Sequence, residues 1–176
     1  MPLFLSTYVN KIDKKGRISV PATFRAALAS QAFQGVVLFR APNQPCLEGF
    51  DYATMEELSN RLDHFDLFSA AQDDLATAIF SDSVPCPFDG EGRIMVPTGL
   101  MDYASIGENA TFVGLGRKFQ IWDEGKFTAR KTEARENVAR QGLTIPQTLQ
   151  NSAQKTAPHT SQSGQPGQSG QSGGAS

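Results

Sequence analysis

Asp13 and Arg17 stand four residues apart with a glycine just before the arginine, and Asp89, Gly92 and Arg93 repeat the arrangement. An arginine at the foot of a tight turn can offer a planar pair of donors to a guanine edge or to a phosphate. An aspartate four residues earlier can hold that guanidinium in place. The same pair can also do no more than stabilise a hairpin. Lys11, Lys14 and Lys15 surround the first pair; such lysines suit phosphate oxygens better than base edges, or else belong to a solvated turn.

Other chemistries lack their residues. Two matched aspartates superficially resemble an aspartic-protease dyad, but each is followed by Lys or Gly and then Arg, and no D-T-G or D-S-G string occurs. Serine and cysteine triads fail for want of a histidine: His64 lies in an acidic stretch and His159 in a Ser/Gln/Gly-rich tail. With only two Cys and two His, and His159 in the tail, no structural zinc site is expected, and no phosphate-cradling glycine string is present. The chain therefore reads as non-enzymatic, with no cofactor and no small-molecule substrate.

The elements around these residues come from a duplication. Ile12-Asp13-Lys14-Lys15-Gly16-Arg17-Ile18-Ser19-Val20-Pro21 aligns with Phe88-Asp89-Gly90-Glu91-Gly92-Arg93-Ile94-Met95-Val96-Pro97 at a constant offset of 76, Asp13 to Asp89 and Pro21 to Pro97. Six of the ten positions are identical, including the glycine and proline that punctuate the backbone. Phe50-Asp51 then matches Trp122-Asp123 at an offset of 72, so the second copy is four residues shorter in between.

Each copy predicts strand, turn, strand and helix. Ile18 and Val20 alternate with Arg17 and Ser19, which puts the arginine opposite the apolar face. Asp13 is placed to cap the turn and Gly16 to take its positive φ. Pro21 fits the first turn of a helix carrying Phe24, Ala27 and Leu28. Copy two predicts a strand over Arg93–Val96, then Pro97 and a short helix around Leu100. Residues 35–40 and 110–115 read as buried strands, with 46–50 and 118–122 as their partners. Thr54 with Glu57 predicts a capping box for a helix burying Met55, Leu58 and Leu62. Ser69 with Gln72 predicts a second helix with Ala71, Leu75 and Ile79 inward, and 124–141 a charged helix. From Asn151 onward the Ser, Gln, Gly, Thr and Pro composition predicts disorder, as a natural extension or a linker-like scar.

Charge is unevenly distributed. The whole 176-residue chain is net −2 with a pI near 5.7, which taken alone describes an ordinary soluble surface. Residues 1–25 nevertheless carry five bases against Asp13, while 48–74 carry eight acids against Arg61. Residues 82–108 hold five acids against Arg93. Nucleic acid would be held on one face and repelled from another. Cys46 and Cys86 are too few for a disulfide framework and are expected as buried thiols. No apolar run is long enough to span a membrane and the N-terminus lacks a signal-peptide pattern, so a cytoplasmic location is expected.

The strings Phe4-Leu5-Ser6-Thr7-Tyr8 and Asp13 through Arg25, the second block Asp89-Gly90-Glu91-Gly92-Arg93, and Gly114 through Asp123 with its Phe119-Gln120-Ile121-Trp122 ending resemble the MraZ family of bacterial transcriptional regulators. The match covers about residues 3–140. The resemblance implies an α+β fold in which two tandem SpoVT/AbrB-like swapped-hairpin β units form an intramolecular pseudo-dimer with flanking helices. The corresponding division is 7–54 and 83–131 for the two repeats, 55–82 for a helical connector, 132–150 for a C-terminal helix and 151–176 for the tail.

The resemblance further implies ring-shaped homo-oligomers, associated with the nucleoid, that bind direct repeats in double-stranded DNA upstream of the division and cell-wall gene cluster and repress their own expression. DNA recognition would fall on Asp13 with Arg17 and on Asp89 with Arg93, and Lys11, Lys14 and Lys15 would join the first pair. An antitoxin-like protein or a protein-binding ring scaffold of the same fold is the alternative. Two positions depart from the pattern. Met101 stands where the equivalent of Arg25 is expected to be basic, and Gly90 and Glu91 replace Lys14 and Lys15. Unequal grip by the two halves follows, with Arg25 itself either a helix-surface residue or a DNA ligand.

Overall fold

A computed structural model describes residues 1–64, 66 and 69–146; the tail expected to be disordered lies outside them. The first copy contributes β1 (Thr7–Lys11), β2 (Arg17–Ser19), α1 (Ala22–Ala27), β3 (Gly35–Arg40) and β4 (Leu47–Phe50). Helices α2 (Tyr52–Leu62) and α3 (Ala70–Ala76) follow, the latter running into a π-helical turn at Thr77–Ser81. The second copy gives β5 (Val84–Pro87), β6 (Arg93–Met95), α4 (Thr98–Ala104), β7 (Asn109–Gly114) and β8 (Phe119–Trp122), and α5 (Glu124–Gln141) closes the fold.

The two copies exchange strands. A six-stranded antiparallel sheet runs β1-β7-β8-β4-β3-β5, so the first strand of each copy pairs with the third strand of the other. The registers match across the repeat: Val9 faces Thr111, and its counterpart Pro85 faces Val37, the counterpart of Thr111. Strands β2 and β6 leave this sheet and form their own two-stranded ribbon. A pseudo-two-fold axis therefore passes between Ile18 and Ile94, which face each other in the ribbon, and between Glu48 and Gln120, which face each other where β4 meets β8. This is an α+β fold of two tandem swapped-hairpin units acting as one intramolecular pseudo-dimer.

Alternation explains why the ribbon docks where it does. Ile18 and Ile94 are each 1% exposed and point inward, while their neighbours face solvent. They enter the main apolar cluster with Val20, Phe24, Leu28, Val96, Leu100, Phe112 and Phe119. Phe4 anchors the N-terminal segment in the same cluster. Its ring meets those of Phe24 and Phe119 edge-on at 5.1 Å each, and its backbone exchanges two hydrogen bonds with Gly116. Cys46 and Cys86 are free and buried, and desolvation pushes their thiols up to about 12 and about 11.

Three local expectations need correction. Pro21 and Pro97 sit one residue before their helices as N-caps, where each carbonyl accepts the first intrahelical bonds, for example from Phe24 N at 2.9 Å. Helix α2 begins at Tyr52 behind Asp51, so Thr54 and Glu57 lie within its early turns and form no capping box; Asp51 occupies the place its repeat counterpart Asp123 holds before α5. Ser69 does cap α3 through Gln72 N at 3.2 Å, but Ala71 and Leu75 are exposed. The π-helical turn changes the helical phase, and within it Ile79, as expected, and Phe80 pack beside Val37, Phe39 and Met55.

Candidate nucleic-acid interface

Both turns are built in the same way from the same residue types. Asp13 Oδ1 accepts from Lys15 N at 2.8 Å and Arg17 N at 2.9 Å, and Asp89 Oδ1 accepts from Glu91 N at 2.9 Å and Arg93 N at 3.0 Å. Gly16 N donates to Asp13 O, and Gly92 N to Asp89 O, with φ of +79° and +73° that an L-residue rarely adopts. Each glycine carbonyl is then taken by the other copy: Val96 N donates to Gly16 O at 3.2 Å and Val20 N to Gly92 O at 3.1 Å. Neither turn is complete within its own repeat.

The second oxygen of each aspartate takes the arginine. Arg17 Nε donates to Asp13 Oδ2 at 2.6 Å, and Arg93 Nε to Asp89 Oδ2 at 2.7 Å. Backbone donation from Arg17 and Arg93, aided by these guanidiniums, holds both carboxyls below the usual range, Asp89 at about 2. The Asp89 carboxylate in turn raises the Arg93 guanidinium above its ordinary value. Asp13, Asp89 and Arg93 therefore stay charged at any physiological pH.

Arg17, Ser19, Arg93 and Met95 all lie on the solvent face of the ribbon, because Arg17 pairs with Met95 and Ser19 with Arg93 while Ile18 and Ile94 turn inward. The two arginines are thus diagonal neighbours on one face, with Cα atoms on the order of 7–8 Å apart. Their side chains remain 31% and 27% exposed.

The two ends of this face differ. At the first, Lys11, Lys14 and Lys15 are exposed, with no ion pair among the described residues. They border an open groove of about 650 Å³ whose apolar lining includes Met95, Val96, Pro97 and Met101. Arg17 engages one carboxylate there. At the second end Pro87, Gly90 and Glu91 replace the three lysines, and Glu91 Oε2 lies 2.6 Å from Arg93 Nη1. Arg93 is therefore held by two carboxylates.

The position of Arg25 does not follow from its own repeat. Its side chain crosses to the second copy and lies against Gly92: a methyl group built on Gly92 would come 2.5 Å from Arg25 Nη1 and 2.6 Å from its Cζ. Arg25 Nε donates to Val20 O at 3.2 Å. Met101, its counterpart, lies correspondingly beside Gly16, with Cε 3.8 Å from a methyl built there. The mismatch of Arg25 with Met101 was the visible signal; the strand exchange that gives it meaning was not readable from the pattern of either copy alone.

Among the described residues no group of three or more His, Cys, Asp or Glu is placed to hold a metal ion, and no helix is long and apolar enough to cross a membrane.

Comparison with known proteins agrees with this architecture. The family model described as "MraZ protein, putative antitoxin-like" matches residues 3–77 and 79–142, one stretch for each repeat. The chain is 44% identical over 138 residues to the transcriptional regulator MraZ of Gluconacetobacter diazotrophicus, covering 77% of this chain and 87% of that protein. It is 42% identical over 136 residues to the MraZ of Pelagibacter ubique, covering 77% and 88%. With the Rickettsia akari protein of the same name it shares 38% identity over 145 residues, covering 82% and 97%. With both repeats matched and nearly the whole length of such relatives spanned, the chain belongs to the MraZ family.

Proposed function

We propose that this chain is a sequence-specific DNA-binding transcriptional regulator that presents its β2–β6 ribbon to the major groove. The observation that carries the reading is the placement of Arg17 and Arg93 on one solvent face of a two-stranded ribbon, each oriented by an aspartate that also builds the adjoining turn. A two-stranded ribbon fits a major groove about 12 Å wide, and arginine is the usual partner of guanine there. The family relatives named as transcriptional regulators support the same reading. Asp13 and Asp89 position the guanidiniums, and Lys11, Lys14 and Lys15 supply phosphate contacts at the first end.

The proposal extends to assembly and target. One ribbon offers few cations on a chain that is net −2, so a single subunit on a single site binds poorly. A ring-shaped homo-oligomer on direct repeats, upstream of its own gene in the division and cell-wall cluster, makes later contacts intramolecular and adds roughly 10²–10⁴ in avidity. Successive ribbons meet the same DNA face when repeats are spaced near one helical turn, about 10 bp. The resulting regulator acts in the cytoplasm on the nucleoid as an autoregulatory repressor and carries out no catalysis.

The test is a titration of the protein against duplexes carrying one to four copies of the repeat found upstream of its gene, and against duplexes with half a turn inserted between copies. Affinity should climb steeply with copy number and collapse on the half-turn insertion. Equal affinity for one copy and four would end the multivalent mechanism. No preference over scrambled DNA would end the regulator reading in favour of an antitoxin-like or scaffold role.

A further inference from the structure

The two ends of the ribbon face are unequal in charge, and the residue that offsets the inequality comes from the opposite copy. We infer that the second hairpin engages DNA through Arg25, carried on the helix of the first copy, which takes the outward role that Glu91 denies to Arg93. This rests on the DNA-binding reading of the ribbon and assigns a further contacting residue within that site.

Three observations carry it. First, Arg93 has its Nε on Asp89 and its Nη1 on Glu91, which leaves only Nη2 without breaking an ion pair. Second, Arg25 makes no ion pair among the described residues; its one hydrogen bond there uses Nε, to the Val20 carbonyl, so neither terminal amino group has a partner among them. Its guanidinium lies on Gly92, one residue from Glu91 and from Arg93, and the half-buried stem covers the left-handed glycine so that Gly92 itself is buried. Third, the seat related by the pseudo-two-fold holds neutral Met101 beside Gly16, at the end where Lys11, Lys14 and Lys15 already supply charge. Cation and thioether are each placed where the local charge of the turn calls for them.

Gly90, which replaces Lys14 at the tip, has open space where a side chain would begin. A DNA backbone can therefore approach the second turn closely, with Arg25 as the cation in reach that no carboxylate claims. A guanidinium held this way meets phosphate oxygens as a two-pronged donor.

Fluorescence anisotropy of the full chain with a duplex from the region immediately upstream of its gene, and with a scrambled duplex, tests the assignment across a series of salt concentrations. The variants are Arg25→Met, which copies Met101, Arg25→Gln as a second neutral replacement should the first fail to fold, Arg25→Lys, and Arg17→Ala and Arg93→Ala as references. The neutral variants should weaken binding at least as much as Arg93→Ala and flatten the plot of log affinity against log salt by about 0.9 for each subunit engaged. Arg25→Lys should restore most of the slope, with circular dichroism and thermal midpoint unchanged throughout. A neutral, folded Arg25 variant with wild-type affinity and slope, alongside an impaired Arg17→Ala, would overturn this assignment alone. Wild-type protein that does not distinguish the upstream duplex from the scrambled one would overturn it together with the DNA-binding reading.

Discussion

Replacing Arg17 with alanine removes the least encumbered arginine on the β2–β6 strands. Its Nε is committed to Asp13 Oδ2 at 2.6 Å, and neither terminal amino group has a partner among the described residues. Two such groups are the fork with which an arginine can meet a guanine edge bidentately. Losing one such contact costs about 1–3 kcal/mol, or roughly 5- to 150-fold in affinity at a single site. In an assembly engaging several repeats the loss multiplies across subunits. Arg93 offers a single free amino group, so Arg93→Ala should fall near the lower end of that range. Glu91→Gln should act in the opposite sense: it frees Arg93 Nη1, removes a negative charge from the tip, and should raise affinity. The fold should not register any of the three changes, because Asp13 and Asp89 hold their turns through backbone N–H groups that the substitutions leave in place. Anisotropy titrations at fixed salt, with circular dichroism and a melting curve for each variant, measure both quantities. Wild-type affinity for Arg17→Ala, or a loss matched by a fall in melting temperature, would refute the reasoning.

Phe4→Ala should destabilise the fold by about 3–5 kcal/mol, since the ring is fully buried between Phe24 and Phe119 and the segment carrying it cannot easily collapse; denaturant titration measures it. The Asp89 carboxyl, depressed to about 2 from 3.8, stabilises the second turn fully above pH 3.8 and loses that effect only as pH falls through about 2. A carboxyl-carbon NMR titration should find its midpoint near 2, and a midpoint near 3.8 would contradict the hydrogen bonding described. Cys46 and Cys86, buried and with thiols raised to about 12 and about 11, should react with a disulfide reagent only on unfolding. Fast labelling of the native protein at neutral pH would disprove their burial.

The turns were readable from sequence because every residue in them has a local reason to be there. Asp13 caps backbone donors two and four residues ahead, Gly16 takes the left-handed conformation, and Ile18 and Val20 alternate with Arg17 and Ser19. The pairing partners were not local. Nothing in Thr7–Lys11 says that it lies beside Asn109–Gly114 rather than its own copy's third strand; the exchange came from the family resemblance. The start of α2 is misplaced by sequence because Thr54 and Glu57 satisfy a capping pattern, whereas the helix begins at Tyr52 behind Asp51, two residues before Thr54. The inward face of α3 was misjudged because a π-helical turn breaks the 3.6-residue period on which that reading depends. Arg25 remained ambiguous for the same reason as the strand exchange: its seat, Gly92, belongs to the other repeat.

Fusion of the two units into one chain changes what the axis permits. In a symmetric dimer of identical units a residue on the two-fold faces itself, so a glutamate at position 48 would oppose another glutamate in a buried position. Here Gln120 stands opposite, its Nε2 donating to Glu48 Oε1 at 2.8 Å, and Lys118 Nζ lies 2.9 Å from Glu48 Oε2 as an ion pair without aligned hydrogen-bond geometry. Next to it Gly49 faces Phe119, whose ring occupies the space a side chain at 49 would need; the related pair is Leu47 with Ile121. Large-against-small packing of this kind requires that the halves differ. The ribbon face shows the same freedom in charge, with three lysines at one end and Glu91 with a borrowed Arg25 at the other. Duplication therefore keeps the geometry of a two-fold while letting the two hairpins carry different residues, which is what a DNA target that is not palindromic would require under the proposed function.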